Sequence, residues 1–185
     1  MFWAYTISGK GFGRVRIEPV TNLTVDVFVT HTHSDSYYHQ NHQIQQLKES
    51  VLNSNADVVI LGGDLNVPPS GKLYEKLVPH FTDSGWSWPS IATYGNPRNY
   101  FSRSESAQVL DYIFYKVMRR DLIAEVKSFE VPFFTTTLRK QCGWKCNSMG
   151  LIPNCVQVCH PYTIPLSDHE PIMATLQIKY LDSEK

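Results

Sequence analysis

Residues 56–66, ADVVILGGDLN, decide the fold class: a continuous apolar run ends in two glycines and leads directly into Asp-Leu-Asn. Such a run predicts a buried strand that stops at a tight loop. Before it, residues 23–31 (LTVDVFVTH) alternate like a half-buried strand, and residues 42–54 carry apolar residues at the spacing of an amphipathic helix. Strands with interspersed helices predict an α/β or α+β protein with a layered sheet core.

The rest of the chain continues this pattern. We predict further strands at residues 13–18, 108–116, 122–131 and 171–180, and a short helix at residues 71–78. No internal repeat or linker composition interrupts the 185 residues. The length and pattern predict one domain, residues 1–185.

Composition narrows the functional classes. Hydrophobic residues make up 42% of the chain, and 17 basic residues balance 17 acidic ones to a formal net charge of zero. A chain that binds nucleic-acid backbones usually carries a basic stripe, so no nucleic-acid partner is expected. The sequence contains no stretch of 18 consecutive apolar residues, so no membrane-spanning helix is predicted.

Polar side chains cluster at four places along the apolar strands. These are THTH at residues 30–33, GDLN at 63–66, Asp111 within QVLDYIFYK, and SDHE at 167–170. Each motif alone is common in surface turns. Together they supply imidazoles, carboxylates and a carboxamide, a set that suits metal-assisted hydrolysis of a phosphate ester.

Asp111 is the most informative single position, because apolar residues flank it on both sides. A buried carboxylate must find a hydrogen-bonded or charged partner. A structural partner would be an arginine or a backbone amide. A functional partner would be an imidazole, which Asp111 would orient and whose charged form it would stabilise.

Five stretches, in this order, resemble the endonuclease/exonuclease/phosphatase superfamily, and within it the neutral sphingomyelinases. They are SGKGFGRVRI (8–17), VTHTHSDSYYHQNHQIQQL (29–47), ADVVILGGDLNVPP (56–69), QVLDYIFYK (108–116) and PLSDHEPIMATL (165–176). The resemblance implies a four-layered α/β sandwich, in which two packed sheets are flanked by helices.

The resemblance also implies roles for single residues. Asp64 would position or deprotonate the attacking water, and Asn66 would bind the phosphoryl oxygens and help to recognise substrate. Asp168 resembles a metal-site carboxylate. His169 resembles the proton-transferring histidine, with Asp111 as its orienting partner.

Two more residues belong to the implied site. His31 resembles a second active-site histidine that contacts the scissile phosphate or the leaving oxygen, and Lys10 matches a substrate-side lysine of the sphingomyelinase branch. Which histidine acts as acid and which as base stays open. The implied cofactor is Mg²⁺.

The implied reaction is hydrolysis of sphingomyelin, or a related choline phospholipid, to ceramide and phosphocholine at a membrane surface. The expected localisation is membrane-associated on the cytoplasmic side, with no obligate protein partner. Alternatives are a nuclease or an inositol-phosphate phosphatase of the same superfamily, or a catalytically dead binding or regulatory half-domain.

The chain departs from the family pattern in three places. The family's lysine usually follows an aspartate five positions earlier, and that position is Tyr5 in this chain. The family's glutamate metal ligand and first strands precede anything present here, so we expect a catalytic domain that lacks its N-terminal strands and helix. Residues 139–164 look like an insertion. The insertion holds all four cysteines, namely Cys142, Cys146, Cys155 and Cys159. Their spacing leaves a zinc site, two disulfides and free thiols open.

Overall fold

The computed structural model describes most of the chain. The described residues are 10–86, 91–97, 106–132, 135–147, 154–165 and 167–181. For residues 135–147 and 154–165 the description is of the backbone. In chain order the elements are β1 (Phe12–Val20), β2 (Leu23–His31), α1 (Tyr37–Leu52), β3 (Val58–Asp64), a 3-10 helix (Tyr74–Lys76), β4 (Thr82–Asp83), β5 (Asp111–Val117), β6 (Leu122–Glu130), β7 (Thr135–Asn147), β8 (Asn154–Pro165) and β9 (Met173–Tyr180).

Strand β3 is the centre of a five-stranded sheet with the order β1-β2-β3-β5-β4. It runs parallel to β2 and antiparallel to β5. Val58, Val59 and Leu61 of β3 are almost completely buried. The burial of neighbouring residues on alternate faces explains why the strand reads as a continuous apolar run.

Each face of this sheet packs against another layer. On one face, Ile44 and Leu47 of α1 join a buried cluster with Phe28 of β2 and Phe114 of β5. On the other face, Val25 and Val58 pack with residues of the β6–β9 pair. The predicted α/β class is therefore confirmed, and helix, central sheet and second sheet form successive layers among the described residues.

Helix α1 begins earlier than its apolar spacing predicts. The prediction was residues 42–54, whereas the helix spans Tyr37–Leu52. Ser36 has extended backbone angles, and its side chain accepts a hydrogen bond from the backbone N–H of His39, which makes it the N-cap. The helix begins with YYHQNH, which contains no aliphatic residue, so the aliphatic periodicity does not reveal this part.

Other predicted elements also differ in their bounds, and two of the differences are larger than a shift of a strand end by one or two residues. The strand predicted at residues 108–116 begins at Asp111, so this carboxylate stands at the end of the strand rather than inside it. The short helix predicted at residues 71–78 is a 3-10 helix of three residues, Tyr74–Lys76. The paired strands β7 and β8 were not predicted, and they contain most of the segment read as an insertion.

Asp26 is a completely buried carboxylate in the middle of β2. It accepts hydrogen bonds from Arg16 and Arg14 of β1 and from the hydroxyl of Ser54. The Arg16 hydrogen bonds are the main cause that holds the pKa of Asp26 well below its ordinary value. A lowered pKa means that the folded state binds the carboxylate's proton more weakly than the unfolded state does.

Replacing Asp26 by asparagine is expected to lower the free energy of unfolding at pH 7 by about 3 kcal/mol, because it breaks a buried ion pair. The contribution of Asp26 to stability is fully present above the pKa of the carboxyl in the unfolded chain, near pH 4. It is lost as the pH falls towards the lowered pKa of the folded protein. Urea unfolding should therefore show a difference in the free energy of unfolding between the parent and Asp26→Asn, and this difference should narrow below about pH 4. A difference of equal size at pH 7 and at low pH would contradict this account.

Asp121 provides a matched control for the same substitution. Its carboxylate pairs with Arg119, but the Asp121 side chain is 59% exposed. Asp121→Asn should change the free energy of unfolding by less than about 0.5 kcal/mol, as exposed ion pairs contribute little.

Candidate active site

The sheet brings three of the predicted site residues into one row. His31 at the end of β2 lies opposite Asp64 at the end of β3, and Asp64 lies opposite Asp111 at the start of β5. Parallel pairing of β2 with β3 and antiparallel pairing of β3 with β5 place one end of each strand at the same edge. Three residues distant in sequence therefore meet at one edge of the sheet.

Asp64 is the centre of this group. Its Oδ2 lies 3.2 Å from Nε2 of His31 and 3.7 Å from Nε2 of His169. Its Oδ1 accepts a hydrogen bond of 2.8 Å from the backbone N–H of Asn66. Burial raises the pKa of Asp64, and the nearby Asp111 carboxylate raises it further, against the Asn66 hydrogen bond. The carboxylate is therefore a stronger proton acceptor than an exposed aspartate.

His169 lies between the two carboxylates. Its Nδ1 is 2.7 Å from Oδ2 of Asp111. This hydrogen bond is the main cause that raises the pKa of His169, with burial acting in the opposite direction. The Tyr94 ring packs at a centroid distance of 4.9 Å from the imidazole. Asp111 thus has an imidazole partner, and the ring is held with Nε2 on the side of Asp64.

Asn66 takes its place through an unusual backbone conformation. Its φ is 49°, in the left-handed region, directly after the turn that ends β3. The side-chain amide donates to the carbonyl of Thr32 at 3.0 Å and to Oδ2 of Asp64 at 3.3 Å. The carboxamide is thereby fixed beside the carboxylate that it follows by two positions.

Lys10 lies at the outer side of the site. Its Nζ is 3.0 Å from Nε2 of His31, the same nitrogen that faces Asp64. With a proton on Nε2, His31 donates to Asp64; without it, the nitrogen accepts a hydrogen bond from Lys10. Nε2 of His31 therefore has a hydrogen-bonding partner in either tautomer of the ring.

Asp168 occupies a different position from the other predicted residues. It is exposed, and its Oδ1 accepts a hydrogen bond of 3.3 Å from the Ser167 hydroxyl. Among the described residues, the ligand atoms of Asp64, Asp111 and His169 lie within 4.8 Å of one another, and Asp168 is not in that group. Its role as a metal ligand stays a prediction.

Two buried polar side chains support the site, and the motifs did not predict either of them. Gln40 of α1 donates from its amide to the backbone carbonyls of Leu65 and Asn66, at 3.0 and 2.8 Å. The hydroxyl of Thr93 accepts hydrogen bonds from the backbone N–H groups of Leu110 and Asp111. Gln40 holds the loop that carries Asn66, and Thr93 holds the start of β5.

Replacing Gln40 by leucine is expected to loosen this loop while leaving the rest of the fold in place. The two carbonyls lose a buried donor, which costs about 1–3 kcal/mol locally. Amide exchange of residues 64–67 should accelerate by about tenfold, measured by hydrogen–deuterium exchange and mass spectrometry. Gln45→Leu on the exposed face of the same helix is the matched control, and equal exchange in both variants would contradict a positioning role.

Two cavities lie near these elements. The larger, of about 900 Å³, is lined by residues of β4, β5 and β6 and contains none of the predicted site residues. The smaller, of about 250 Å³, is lined by Asp111, Thr93, Trp86 and Phe129, among others. Because Asp111 lines it, the smaller cavity is the one that adjoins the candidate site.

The fold and the site together define an α/β protein with paired carboxylates, two imidazoles and a carboxamide at the sheet edge. The sequence profile of the endonuclease/exonuclease/phosphatase family matches residues 3–169. The chain therefore belongs to the endonuclease/exonuclease/phosphatase family. None of the curated proteins matches the sequence at a significant level.

Several solved structures share the fold. SmcL aligns with a TM-score of 0.56 and 18% identity, over 94% of this chain and 59% of its own. A beta toxin mutant from Staphylococcus aureus with bound magnesium ions aligns with a TM-score of 0.56 and 21% identity, over 89% of this chain and 57% of its own. Sphingomyelinase C from Streptomyces griseocarneus aligns with a TM-score of 0.52 and 19% identity, over 89% of this chain and 57% of its own. This chain thus spans less than two thirds of the length of these structures.

Proposed function

We propose that this chain carries catalytic groups of a metal-assisted phosphodiesterase that hydrolyses sphingomyelin to ceramide and phosphocholine. The observation that carries the proposal is the meeting of His31, Asp64, Asn66, Asp111 and His169 at one edge of the sheet. The set contains a proton acceptor, two imidazoles and an amide donor, which are the groups that phosphodiester hydrolysis requires.

Asp64 serves as the group that orients and deprotonates the attacking water. Its pKa is raised by burial, which favours proton uptake from water over that of an exposed carboxylate. The water oxygen forms a bond to phosphorus as its proton passes to Asp64. The Asn66 N–H that holds Oδ1 of Asp64 keeps the carboxylate in one orientation.

An imidazole protonates the leaving group. As the bond between phosphorus and the ceramide oxygen breaks, that oxygen takes a proton from a histidinium. His169 fits this role because Asp111 raises its pKa and fixes the ring. The proton that Asp64 received then passes to the nearby imidazoles, since His31 and His169 both face Oδ2 of Asp64. This transfer returns the site to its starting state.

Asn66 and Lys10 stabilise the charge that develops on the phosphoryl oxygens. The Asn66 amide makes one shorter hydrogen bond to Thr32 and a longer one to Asp64. The longer contact is the one that a phosphoryl oxygen would replace. Lys10, next to His31, adds a positive charge on the same side.

A divalent cation fits the donor chemistry of the site. Carboxylate oxygens of Asp64 and Asp111 lie close to each other and to an imidazole, and oxygen ligands are those that Mg²⁺ prefers. Asp111 and Asp168, the further carboxylate that the sequence resemblance suggests, would hold the ion, and Asp64 stays the proton acceptor. The ion would supply Lewis-acid stabilisation of the phosphoryl oxygens.

Two observations support sphingomyelin as the substrate. The formal net charge of zero suits a zwitterionic phosphocholine headgroup better than a polyanionic nucleic acid. A fold neighbour is named as a sphingomyelinase C. The substrate would be met at a membrane surface. Among the described residues, no helix has the length and apolar character needed to cross a bilayer.

The test measures phosphocholine release from sphingomyelin vesicles by this chain, with Mg²⁺ and with chelator. Double-stranded DNA and an inositol polyphosphate serve as competing substrates. Metal-dependent release that exceeds hydrolysis of both competitors is the expected result. Faster cleavage of DNA or of the inositol phosphate would overturn the substrate assignment and favour those branches of the family.

A second arm separates an enzyme from a binding module. The same assay is carried out on a chain extended upstream by its own coding sequence. Activity confined to the extended chain would show that the groups described here need further residues for turnover. Absence of hydrolysis in both chains, with vesicle binding retained, would favour the dead half-domain.

A further inference from the structure

The hairpin of β7 and β8 contains every cysteine of the chain. The two strands pair antiparallel from Thr135 to Asn147 and from Asn154 to Pro165. The four cysteines divide evenly between them, two on each strand. None of the site residues described above lies in either strand, so the cysteines raise a question separate from catalysis.

The register of the hairpin pairs these cysteines. Cys142 lies directly opposite Cys159, and Cys146 lies directly opposite Cys155. The register between the two pairs is regular, and its one shift lies outside them, between Thr137 and Arg139. Because the cysteines of one strand are four positions apart, all four occupy the same face of the ladder.

The spacing across the ladder suits a disulfide. Directly opposed residues of an antiparallel pair have Cα atoms about 4.5 or 5.5 Å apart, depending on the hydrogen-bonding pattern. Disulfide-bonded cysteines have Cα atoms about 4.4–6.8 Å apart. Positions four residues apart have the same hydrogen-bonding pattern, so both cysteine pairs meet the requirement equally.

The spacing along the ladder excludes the other arrangements. Four residues of an extended strand span about 13 Å. Neither the two cysteines of one strand nor the crossed pairs, Cys142 with Cys155 and Cys146 with Cys159, come within disulfide range. A tetrahedral zinc ion needs all four sulfurs at about 2.3 Å from one point, so the two pairs cannot share an ion.

We propose that Cys142 is disulfide-bonded to Cys159 and Cys146 to Cys155, which makes the hairpin a doubly cross-linked element. Each bond forms when two thiols lose two protons and two electrons. An oxidant of the disulfide class, such as oxidised glutathione or an oxidised dithiol protein, accepts the electrons and is reduced to two thiols.

The proposal bears on where the protein folds. Structural disulfides persist in oxidising compartments and are rare where glutathione keeps thiols reduced. Two nested bonds therefore favour maturation in a secretory or extracellular environment over the cytoplasmic side expected from the resemblance. A membrane-surface substrate is compatible with this placement, because sphingomyelin can be met from that side of a bilayer as well.

The test counts thiols in the full chain after secretory expression. Iodoacetamide is added to the denatured, unreduced protein, and the intact mass is measured. The expected result is no alkyl group without reduction and four after reduction, as the chain has four cysteines. Four alkyl groups without reduction, or one zinc ion per chain in the native protein, would overturn the proposal.

Paired variants identify the connectivity. The double variant Cys142→Ser with Cys159→Ser retains the bond between Cys146 and Cys155 and should show no reactive thiol. The double variant Cys142→Ser with Cys155→Ser leaves two cysteines that the register keeps apart, so both should be alkylated. The reverse pattern would overturn the assignment.

A peptide map of the parent protein gives the same answer without any variant. Trypsin cleaves after Lys140, Lys145 and Lys179, so the unreduced digest should contain peptide 141–145 joined to peptide 146–179. Fragmentation of the joined peptides should assign the link to Cys159. A link to Cys155, or separate peptides, would contradict the nested pairing.

Discussion

Replacing His169 by alanine is expected to lower the rate of phosphocholine release by about 10³-fold, which is the range for loss of a positioned proton donor. His169 Nδ1 is 2.7 Å from Asp111, and its Nε2 faces Asp64 at 3.7 Å. Alanine removes the imidazole whose two nitrogens face the two carboxylates. The rate should fall without a comparable change in KM, because the proposed role of the imidazole is to protonate the leaving group.

The pH profile distinguishes this role from a structural one. Asp111 raises the pKa of His169, so the protonated donor persists to higher pH than an isolated histidine would allow. Asp111→Asn removes that effect and should shift the falling alkaline limb of the rate to lower pH. His42→Ala, at an exposed position of α1, is the matched control and should leave both rate and profile unchanged. A His169→Ala protein as active as its parent would refute the assignment of the site.

The proximity of the candidate residues could be predicted because strand ends are visible in a sequence. An apolar run that stops at Gly-Gly-Asp marks the end of β3, and alternation marks the end of β2 at His31. Neighbouring strands that end at one edge must bring such residues together, which is what the register of His31, Asp64 and Asp111 shows. The order of the motifs along the chain then indicated the family.

The supporting residues could not be predicted in the same way. Gln40 donates to backbone carbonyls 25 and 26 positions away, and Thr93 accepts from backbone groups 17 and 18 positions away. Such hydrogen bonds depend on where a helix and a loop pack, and they produce no periodic pattern. A glutamine in register with the apolar stripe of Ile44, Leu47 and Val51 is the one signal that could have indicated Gln40.

The hairpin of β7 and β8 escaped prediction for a different reason. Polar residues, prolines and cysteines interrupt its strands, so apolar alternation is weak there. Only the pairing register reveals that the cysteines oppose one another, because the connectivity of four cysteines cannot be read from their spacing. The register therefore carries the pairing proposed above, which the spacing of the cysteines alone left open.

Gly62 and Gly63 look equivalent in the sequence, yet their surroundings differ. A Cβ built on Gly62 would lie 3.6 Å from the nearest atom, the carbonyl oxygen of Tyr112, which is an ordinary contact. A Cβ on Gly63 would overlap the carbonyl oxygen of Thr30 on β2. Gly63 also has a φ of 133°, a conformation that side chains strongly disfavour.

Gly63→Ala is therefore expected to lower the free energy of unfolding by about 4 kcal/mol or more, while Gly62→Ala should cost less than about 1 kcal/mol. Urea unfolding of the two variants measures the difference, and the soluble yield of Gly63→Ala gives a second measure if the variant does not fold. Similar stabilities would contradict the close approach of β2 and β3.

The obstructing atom belongs to the backbone, so relief of the overlap requires moving Thr30 and with it His31, its neighbour in the chain. A folded Gly63→Ala protein should consequently lose activity through misplacement of both His31 and Asp64, whereas Gly62→Ala should retain it.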